Sequence, residues 1–250
     1  MIQLEDVHLN LAGKDVLKGL ELRFRPGDRM VIMGESGIGK STILRVILGL
    51  WKPDRGRVLW GGQDIHQFDE KELIERRKQL AIVFQGGALF DSLTVGENVG
   101  YRLFEEGRLS RAEIEGKVRG LLKSVDLEEA IDDYPVQLSG GMRKRAALAR
   151  ALAGDPHCIL FDEPTAGLDP VGSCRVNRLI RRCQEKGTGT LVVTHDLDCA
   201  FQVGKTFVLI YDGRVVFSGS RAEMESSQQP DLRRFLAPME NACANEGQDA

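Results

Sequence analysis

The sequence predicts an α/β fold in which a mixed, mostly parallel sheet is flanked by helices and the middle of the chain is α-helical. Three observations support this prediction. Short apolar strands alternate with helices in the first and last thirds of the chain. A glycine-rich loop joins one strand directly to a helix. From about Thr94 to Ala153 helix-forming residues dominate instead, with i,i+4 charge pairs such as Arg111 and Glu115.

The first third of the chain is predicted to form strands joined by turns. Five runs have strand character: Ile2–Val7, Leu20–Phe24, Met30–Met33, Arg57–Trp60 and Leu80–Phe84. Turn dipeptides lie at Ala12-Gly13, Pro26-Gly27 and Gly61-Gly62. Because Leu80–Phe84 is apolar throughout, we expect that strand to be buried on both faces.

The last third alternates again between strand and helix. Cys158–Phe161 and Thr190–Thr194 are apolar, and a predicted helix, Val171–Lys186, lies between them. A strand, a helix and a second strand in this order predict a parallel pair with a crossover connection. Phe207–Tyr211 and Arg214–Phe217 flank a two-residue turn and predict a hairpin.

Composition narrows the classes of function. At 250 residues the chain is long enough for one large domain or for a core with a subdomain. A formal net charge of −3 argues against a general nucleic-acid-binding protein. No apolar run approaches the ~18 residues that span a bilayer, and the start of the chain does not resemble a secretory signal. The five cysteines form no C-x-x-C pair, so we expect reduced thiols, most of them in the core, rather than a zinc site.

The most informative motif is a glycine-rich loop between the strand Met30–Met33 and a helix predicted over Thr42–Gly49. It reads G-x-x-x-x-G-K-[ST], and its residues are Gly34, Glu35, Ser36, Gly37, Ile38, Gly39, Lys40 and Ser41, followed by Thr42. Glycines let backbone N–H groups turn towards phosphates, and the helix N-terminus adds positive potential. We therefore expect Lys40 to reach the β- and γ-phosphates of a nucleoside triphosphate and the Ser41 hydroxyl to hold Mg²⁺.

Polar residues end several of the predicted strands. Asp162 and Glu163 follow the apolar strand Cys158–Phe161, which is the Walker-B arrangement. Asp162 is expected to bind Mg²⁺, and Glu163 to polarise the attacking water as a general base. Gln85 is expected to reach the metal and the water, and His195 the γ-phosphate, because ligands of α/β sheets bind where parallel strands end. Taken singly, each of these two is equally well explained by local hydrogen bonding.

A second phosphate-binding turn is predicted where a serine and two glycines open a helix. Its residues are Ser139, Gly140, Gly141 and Met142. One nucleotide already has a complete cradle at Gly34–Ser41. The second turn is therefore expected to close over a nucleotide bound to another copy of the chain, which predicts a homodimer.

In order and spacing, the motifs resemble the ABC ATPase family over residues 2–236. The residues that carry the resemblance are Gly34–Ser41, Gln85, Leu138–Met142, Ile159–Glu163, Ala166–Asp169 and His195. The resemblance implies that two cassettes sandwich two ATP molecules. It places Ser139, Gly140 and Gly141 on the partner's γ-phosphate, makes His195 a γ-phosphate switch, and assigns Asp169 to communication between the two sites.

The resemblance also implies a domain organisation. Residues 1–237 are expected to form one ATPase domain, with a core and N-terminal β-subdomain in residues 1–86 and 156–237 and a helical subdomain in residues 87–155. Residues 238–250 are small and polar and are predicted to be disordered.

Two features depart from the family pattern. The family usually stacks an aromatic side chain on adenine just before the second strand, whereas this chain offers Leu11 and Val16, which give apolar contact without π-stacking. The signature turn ends in Met142, where glutamine is usual.

With Met142 at this position, the signature turn resembles that of the ATPase subunits of the Mla/MCE lipid transporters. So do three longer segments, Phe84–Val95, Leu138–Arg150 and Asp231–Leu236. This resemblance implies a peripheral subunit at the cytoplasmic face of the bacterial inner membrane, which powers phospholipid transport between the inner and outer membranes. The implied partners are an integral membrane permease, an MCE-domain substrate-binding protein and a small STAS-domain subunit.

Other functions fit part of the sequence. An ABC importer for amino acids or metals would carry the same ATPase motifs, because the permease and the binding protein select the cargo. A non-transport ABC protein that acts on DNA or ribosomes fits less well, since the chain has one cassette and no heptad run. The transporter hypothesis expects Leu89, Phe90 and Leu93 to line a groove that receives the permease, although ordinary core packing would also explain these residues.

Overall fold

A computed structural model describes residues 1–237, which form two sheets and their covering helices. Strands β1 to β10 span Ile2–Leu11, Lys14–Phe24, Arg29–Met33, Arg55–Trp60, Gln63–Asp64, Leu80–Val83, Cys158–Asp162, Gly189–Thr194, Thr206–Tyr211 and Arg214–Gly219. Helices α1 to α8 span Lys40–Ile47, Glu70–Arg77, Val95–Glu106, Arg111–Ser124, Gly140–Leu152, Pro170–Glu185, Leu197–Val203 and Arg221–Ser226. Residues 230–237 are also helical. The disorder predicted for residues 238–250 concerns a segment outside the described residues.

The larger sheet has six strands in the order β10-β9-β3-β8-β7-β6. Strands β6, β7, β8, β3 and β9 pair in parallel, whereas β9 and β10 form an antiparallel hairpin. The predicted mixed, mostly parallel sheet is therefore confirmed, and so is the predicted parallel pair of β7 and β8. Because parallel strands point the same way, the carboxyl ends of β3, β6, β7 and β8 lie at one edge of the sheet.

The second sheet is antiparallel, with the strand order β2-β1-β4-β5. Its first two strands are longer than the sequence predicts, since β1 continues to Leu11 and β2 begins at Lys14. The extra length alternates polar residues with the buried Leu9 and Leu17. This alternation is typical of a strand with one face in the core, and it was missed because the polar residues interrupt the apolar run.

Helix α2 was also missed, because its apolar contact with the core is small and only Leu73 packs against an apolar cluster. None of its residues is buried. Its start is fixed instead by a capping box, in which Asp69 accepts from the backbone N–H of Glu72 and the Glu72 side chain accepts from the N–H of Asp69.

The middle of the chain is helical, as predicted, and α3, α4 and α5 pack on one another. Their buried residues, such as Val99, Val118 and Ala149, belong to one apolar cluster that also contains Val83 and Phe161 of the larger sheet. The helices therefore share a core with the sheet. No helix among residues 1–237 is long and apolar enough to span a bilayer.

Candidate functional site

The loop between β3 and α1 is the glycine-rich motif, and its backbone needs glycine at two positions. Gly37 and Gly39 have φ angles of 78° and 103°, in a region that other residues rarely adopt. A Cβ on Gly39 would also lie 2.7 Å from Cγ1 of Val16, so its absence lets β2 pack against the loop. Helix α1 begins at Lys40 without a side-chain cap, which leaves its first backbone N–H groups to face a ligand.

The amino group of Lys40 is held inside this loop. Its Nζ donates to the carbonyl oxygens of Gly34 at 2.8 Å and Glu35 at 2.9 Å. It also lies 3.4 Å from Oε1 of Glu163. Burial lowers the pKa of this amino group, although the charges of Glu163 and Asp162 oppose the shift. A buried cation that rests partly on neutral carbonyl groups is well suited to bind an anion such as phosphate.

Strand β7 places Asp162 beside the first turn of α1. The Ser41 hydroxyl donates to Oδ1 of Asp162 at an oxygen–oxygen distance of 2.7 Å. Burial raises the pKa of Asp162, and the hydrogen bond from Ser41 opposes this effect. A hydroxyl and a carboxylate side by side are the oxygen ligands that Mg²⁺ prefers, so these residues fit the ion. Thr42, the next residue of α1, is buried.

The carboxylate of Glu163 is bonded from the end of the neighbouring strand, β8. Oε2 accepts from Oγ1 of Thr194 at 3.1 Å and from the backbone N–H of His195 at 3.4 Å, and Oε1 lies 3.0 Å from Nδ1 of His195. Glu163 also has a φ angle of 47°, a conformation that costs a residue other than glycine about 1–3 kcal/mol. A strained residue with a fixed carboxylate is a candidate for chemistry.

Gln85 lies at the same edge of the sheet but is not bonded to these residues. Strands β6 and β7 pair with Val83 opposite Phe161, so Gln85 and Glu163 each lie two residues beyond that pair. Gln85 is exposed, and the described part of the chain shows no hydrogen bond to its side chain. Its amide is thus available to a ligand at this edge.

The predicted base-binding residues flank the turn between β1 and β2. Leu11 and Val16 are half-buried and pack on the apolar cluster beneath α1. Since Val16 lies close to Gly39, the pair forms an aliphatic surface beside the glycine-rich loop.

The signature turn opens α5, where Ser139 accepts from the backbone N–H of Met142 at 3.3 Å. It lines a groove of about 390 Å³ together with the loop before α6. Residues that line the groove include Ser139, Gly140, Gly141, Met142, Leu168 and Asp169. Asp169 caps α6 by accepting from the N–H of Gly172 at 2.7 Å. Within residues 1–237, no hydrogen bond or ion pair joins the signature turn to Gly34–Ser41, the two elements that the sequence predicts to bind phosphate.

Sequence reasoning missed one cation near the site, Lys144. Its Nζ donates to the carbonyl oxygens of Glu163 at 3.1 Å and Ala166 at 2.6 Å. A signal was present in the sequence, because Lys144 shares a helix face with Ala147 and Ala151, which are buried. A lysine on the apolar face of a helix needs buried partners, and here those partners are backbone carbonyl groups.

An aromatic patch lies beyond Gln85. The Phe90 and Tyr101 rings are 4.9 Å apart, and 45% of Phe90 and 48% of Phe104 are exposed. The two other residues of the predicted groove, Leu89 and Leu93, are half-buried.

The loop that carries Phe90 is fixed by Asn98, which is fully buried. Its Oδ1 accepts from the N–H of Phe90 at 2.8 Å. Its Nδ2 donates to the carbonyl oxygens of Phe90, Leu93 and Thr94 at 3.0 to 3.1 Å. Sequence reasoning did not identify this clamp.

The sequence is similar to those of known proteins. A family model described as ABC transporter matches residues 17–166. The chain is 37% identical to the chloroplastic protein TRIGALACTOSYLDIACYLGLYCEROL 3 of Arabidopsis thaliana, over 94% of this chain and 73% of that protein. It is 35% identical to the intermembrane phospholipid transport system ATP-binding protein MlaF of Haemophilus influenzae, over 94% of this chain and 90% of that protein.

A solved structure has the same fold. It is the dimeric post-hydrolysis state of the ATP-binding cassette MJ0796 bound to ADP and Pi, which is 34% identical and superposes with a TM-score of 0.81 over 88% of this chain and 98% of that chain.

Proposed function

The chain belongs to the ABC transporter ATPase family, and from this membership we propose that it is the ATP-hydrolysing subunit of a phospholipid transporter. The observation that supports phospholipid as the cargo is the 35% identity, over 94% of the chain, to the ATP-binding protein of an intermembrane phospholipid transport system. The Arabidopsis relative supports the same class through its name, which refers to a glycerolipid.

We propose that the loop Gly34–Ser41 binds the phosphates of ATP, with Lys40 on the β- and γ-phosphates. In the structure the Lys40 amino group is bonded to two loop carbonyls and lies close to Glu163. A phosphate oxygen that accepts a hydrogen bond from the Lys40 amino group would draw this group away from Glu163. ATP binding would thus leave the Glu163 carboxylate available to a water molecule.

Ser41 and Asp162 are proposed to hold Mg²⁺ through their adjacent oxygens, and Gln85 to complete the ligand set from the end of β6. When bound, Mg²⁺ neutralises charge on the β- and γ-phosphates. Leu11 and Val16 are proposed to contact the base through their aliphatic side chains.

Glu163 is proposed to act as the general base that orients and polarises the attacking water. Thr194 and His195 fix its carboxylate through three contacts of 3.0 to 3.4 Å. His195 is half-exposed at this edge and is proposed to contact the γ-phosphate, so that one imidazole contacts both the base and the substrate.

We propose that the active form is a homodimer in which Ser139, Gly140 and Gly141 of one chain grip the γ-phosphate held by the partner. Two features support this arrangement: the signature turn is not bonded to its own phosphate-binding loop, and the similar cassette MJ0796 is dimeric with ADP and Pi. Asp169 lies in the same groove as the signature turn and is proposed to report the state of one site to the other.

The aromatic patch around Phe90 is proposed to receive an integral membrane permease, with Leu89 and Leu93 beneath it. This would hold the ATPase at the cytoplasmic face of a bacterial inner membrane. By similarity to the phospholipid system, the further partners would be an MCE-domain binding protein and a small STAS-domain subunit.

Purification of the intact complex from its native membrane tests this function. We expect a polytopic permease to co-purify, and lipid extracts to be enriched in phospholipid relative to a sham purification from cells that lack the chain. Co-purification of an amino-acid or metal-binding protein without bound phospholipid would favour another ABC importer. Association with ribosomes or DNA alone would contradict a transporter.

A further inference from the structure

Lys144 is a buried cation to which the proposed hydrolysis assigns no role. It lies in α5 with 7% of its surface exposed. Its two hydrogen bonds go to the backbone carbonyls of Glu163 and Ala166, and the described residues contain no carboxylate within ion-pair distance of its Nζ. Burial lowers the pKa of the amino group. Because burying an ammonium group with neutral partners is costly, its presence calls for a specific role.

The two hydrogen bonds connect elements with different proposed tasks. Helix α5 begins at the signature turn, where Ser139 faces the partner's ATP. Glu163 is the proposed base for ATP bound to its own chain, and Ala166 leads into the loop that ends at Asp169. The Lys144 side chain therefore links helix α5, which contacts the partner's ATP, to the backbone of Glu163, which acts on the ATP bound to its own chain.

Glu163 depends on such support because its backbone is strained. Its φ angle is 47°, and its backbone N–H donates to the carbonyl of Val193 at 2.9 Å. Lys144 fixes the carbonyl on the other side of the residue. Loss of that bond would let the following peptide rotate towards a relaxed conformation and carry the carboxylate with it.

We propose that Lys144 is a positioning residue that couples the two ATP sites, by transmitting the position of the signature turn to the general base of its own chain. The inference rests on the proposed function, because it requires the sandwich dimer. A displacement of α5 moves Lys144, and Lys144 moves the carbonyl of Glu163. Bound ATP in one site would thereby set the geometry of the base in the other.

The test compares the full-length Lys144→Met and Lys144→Arg variants with wild type. Methionine keeps the length of the side chain and removes its donors, whereas arginine keeps donors for both carbonyl groups. Arg102→Met is a matched control. Arg102 also joins the helical segment to the core, through a 3.0 Å hydrogen bond to the carbonyl of Lys78, but it has no contact with the site residues. The readouts are kcat, KM and the Hill coefficient for ATP hydrolysis, together with equilibrium binding of a fluorescent ATP analogue.

We expect Lys144→Met to lower kcat about 10- to 100-fold, which is the scale for a catalytic group displaced by about 1 Å. KM and analogue affinity should stay within about threefold of wild type, and the Hill coefficient should fall towards 1. Lys144→Arg should recover most of kcat and of the cooperativity. Arg102→Met should keep both, even if it lowers the melting temperature.

Wild-type kcat and cooperativity in Lys144→Met would overturn the coupling. Equal losses in Lys144→Met and Arg102→Met, or no recovery in Lys144→Arg, would reduce Lys144 to a structural residue. If Lys144→Met does not fold, Lys144→Leu, which also lacks donors and is a good helix former, replaces it in the same comparison. A wild-type chain that hydrolyses ATP without cooperativity, or a cooperative wild type with a cooperative Lys144→Met, would contradict the coupling alone, whereas a wild type that is fully active as a monomer would contradict the sandwich dimer itself.

Discussion

The amino group of Lys40 lies 3.4 Å from Oε1 of Glu163, so the residue proposed to bind phosphate contacts the residue proposed to activate water. Both side chains are buried; Lys40 begins α1 after the loop that follows β3, and Glu163 directly follows β7. Because a phosphate oxygen would compete with Glu163 for Lys40, nucleotide binding and release of the base are expected to be linked.

Replacement of Lys40 by alanine should weaken ATP binding. A hydrogen bond to a charged group contributes about 1.5–3 kcal/mol, which corresponds to about a 10- to 100-fold loss of affinity. Isothermal calorimetry with wild type and Lys40→Ala measures this directly. Lys71→Ala, which removes an exposed lysine of α2, is the control and should bind ATP normally. Unchanged affinity in Lys40→Ala would remove this residue from the phosphate site.

The Glu163→Gln variant should bind ATP and barely hydrolyse it. Glutamine can still accept hydrogen bonds from Thr194 and His195, but it cannot take a proton from water, and general-base catalysis contributes about 10²- to 10⁴-fold to rate. Phosphate release should fall by that factor, and ATP-bound dimers should accumulate in gel filtration. Glu185→Gln, an exposed residue at the end of α6, should hydrolyse ATP normally. Wild-type turnover in Glu163→Gln would assign the base elsewhere.

Loss of the Asn98 side chain should destabilise the loop that carries Phe90. Asn98→Ala leaves the N–H of Phe90 and three carbonyl groups without their partner. An unsatisfied buried polar group costs about 1–3 kcal/mol, so the melting temperature should fall by about 2–10 °C. Calorimetry measures this, with the exposed Asn10→Ala as control. If the loop forms the permease surface, the same variant should also co-purify less permease. An unchanged melting temperature would show that the clamp contributes little.

Three of the four cysteines in the described residues should be inert in the folded protein. Cys158, Cys183 and Cys199 are buried, and burial raises the pKa of the first two to about 11 and of the third to about 12. In a Cys243→Ser variant, Ellman's reagent at pH 8 should react quickly with Cys174 alone, and with four thiols after denaturation. Rapid reaction of a second thiol in the folded protein would contradict this packing.

The same thiols predict how stability depends on pH. Their folded-state pKa values are raised, so above about pH 9 the unfolded chain loses these protons while the folded chain keeps them. The free energy of unfolding should therefore fall as pH rises through that range, and the fall should be smaller in a Cys199→Ala variant.

The geometry around the glycine-rich loop was predictable because it follows local rules. A glycine loop between a strand and a helix, and carboxylates at the end of an apolar strand, determine where Lys40 and Asp162 lie once the sheet is parallel. Lys144 and Asn98 were not predictable in this way. Their partners are backbone carbonyl groups and, for Asn98, also a backbone N–H, so no residue type elsewhere in the sequence indicates the contacts.

In the fold, too, the elements with a clear sequence signal were predicted and those without one were missed. The apolar strands β7 to β9 were identified because burial on both faces leaves a continuous apolar run. The expectation of burial on both faces was wrong for β6, which lies at the edge of the sheet and buries only Ala81 and Val83. The far end of β1 and helix α2 were missed. The first alternates polar and apolar residues, and the second begins at a capping box at Asp69 and packs only Leu73 against the core. The positive φ of Glu163 also has no sequence signal, because glutamate rarely adopts it.

The proposed mechanism depends on ATP lying between two copies of the chain. A mixed dimer tests this most directly, with one chain carrying Lys40→Ala and the other Ser139→Arg. Each variant alone should be inactive. In the mixed dimer both mutations fall on one composite site, which leaves the other site with an intact loop and an intact signature turn. We predict that mixing the two inactive chains restores about half of the wild-type rate per mixed dimer if the sites work independently, and less if they are coupled. No activity above that of the separate variants, despite mixed dimers seen by native mass spectrometry, would contradict the sandwich, as would full activity of wild type as a strict monomer.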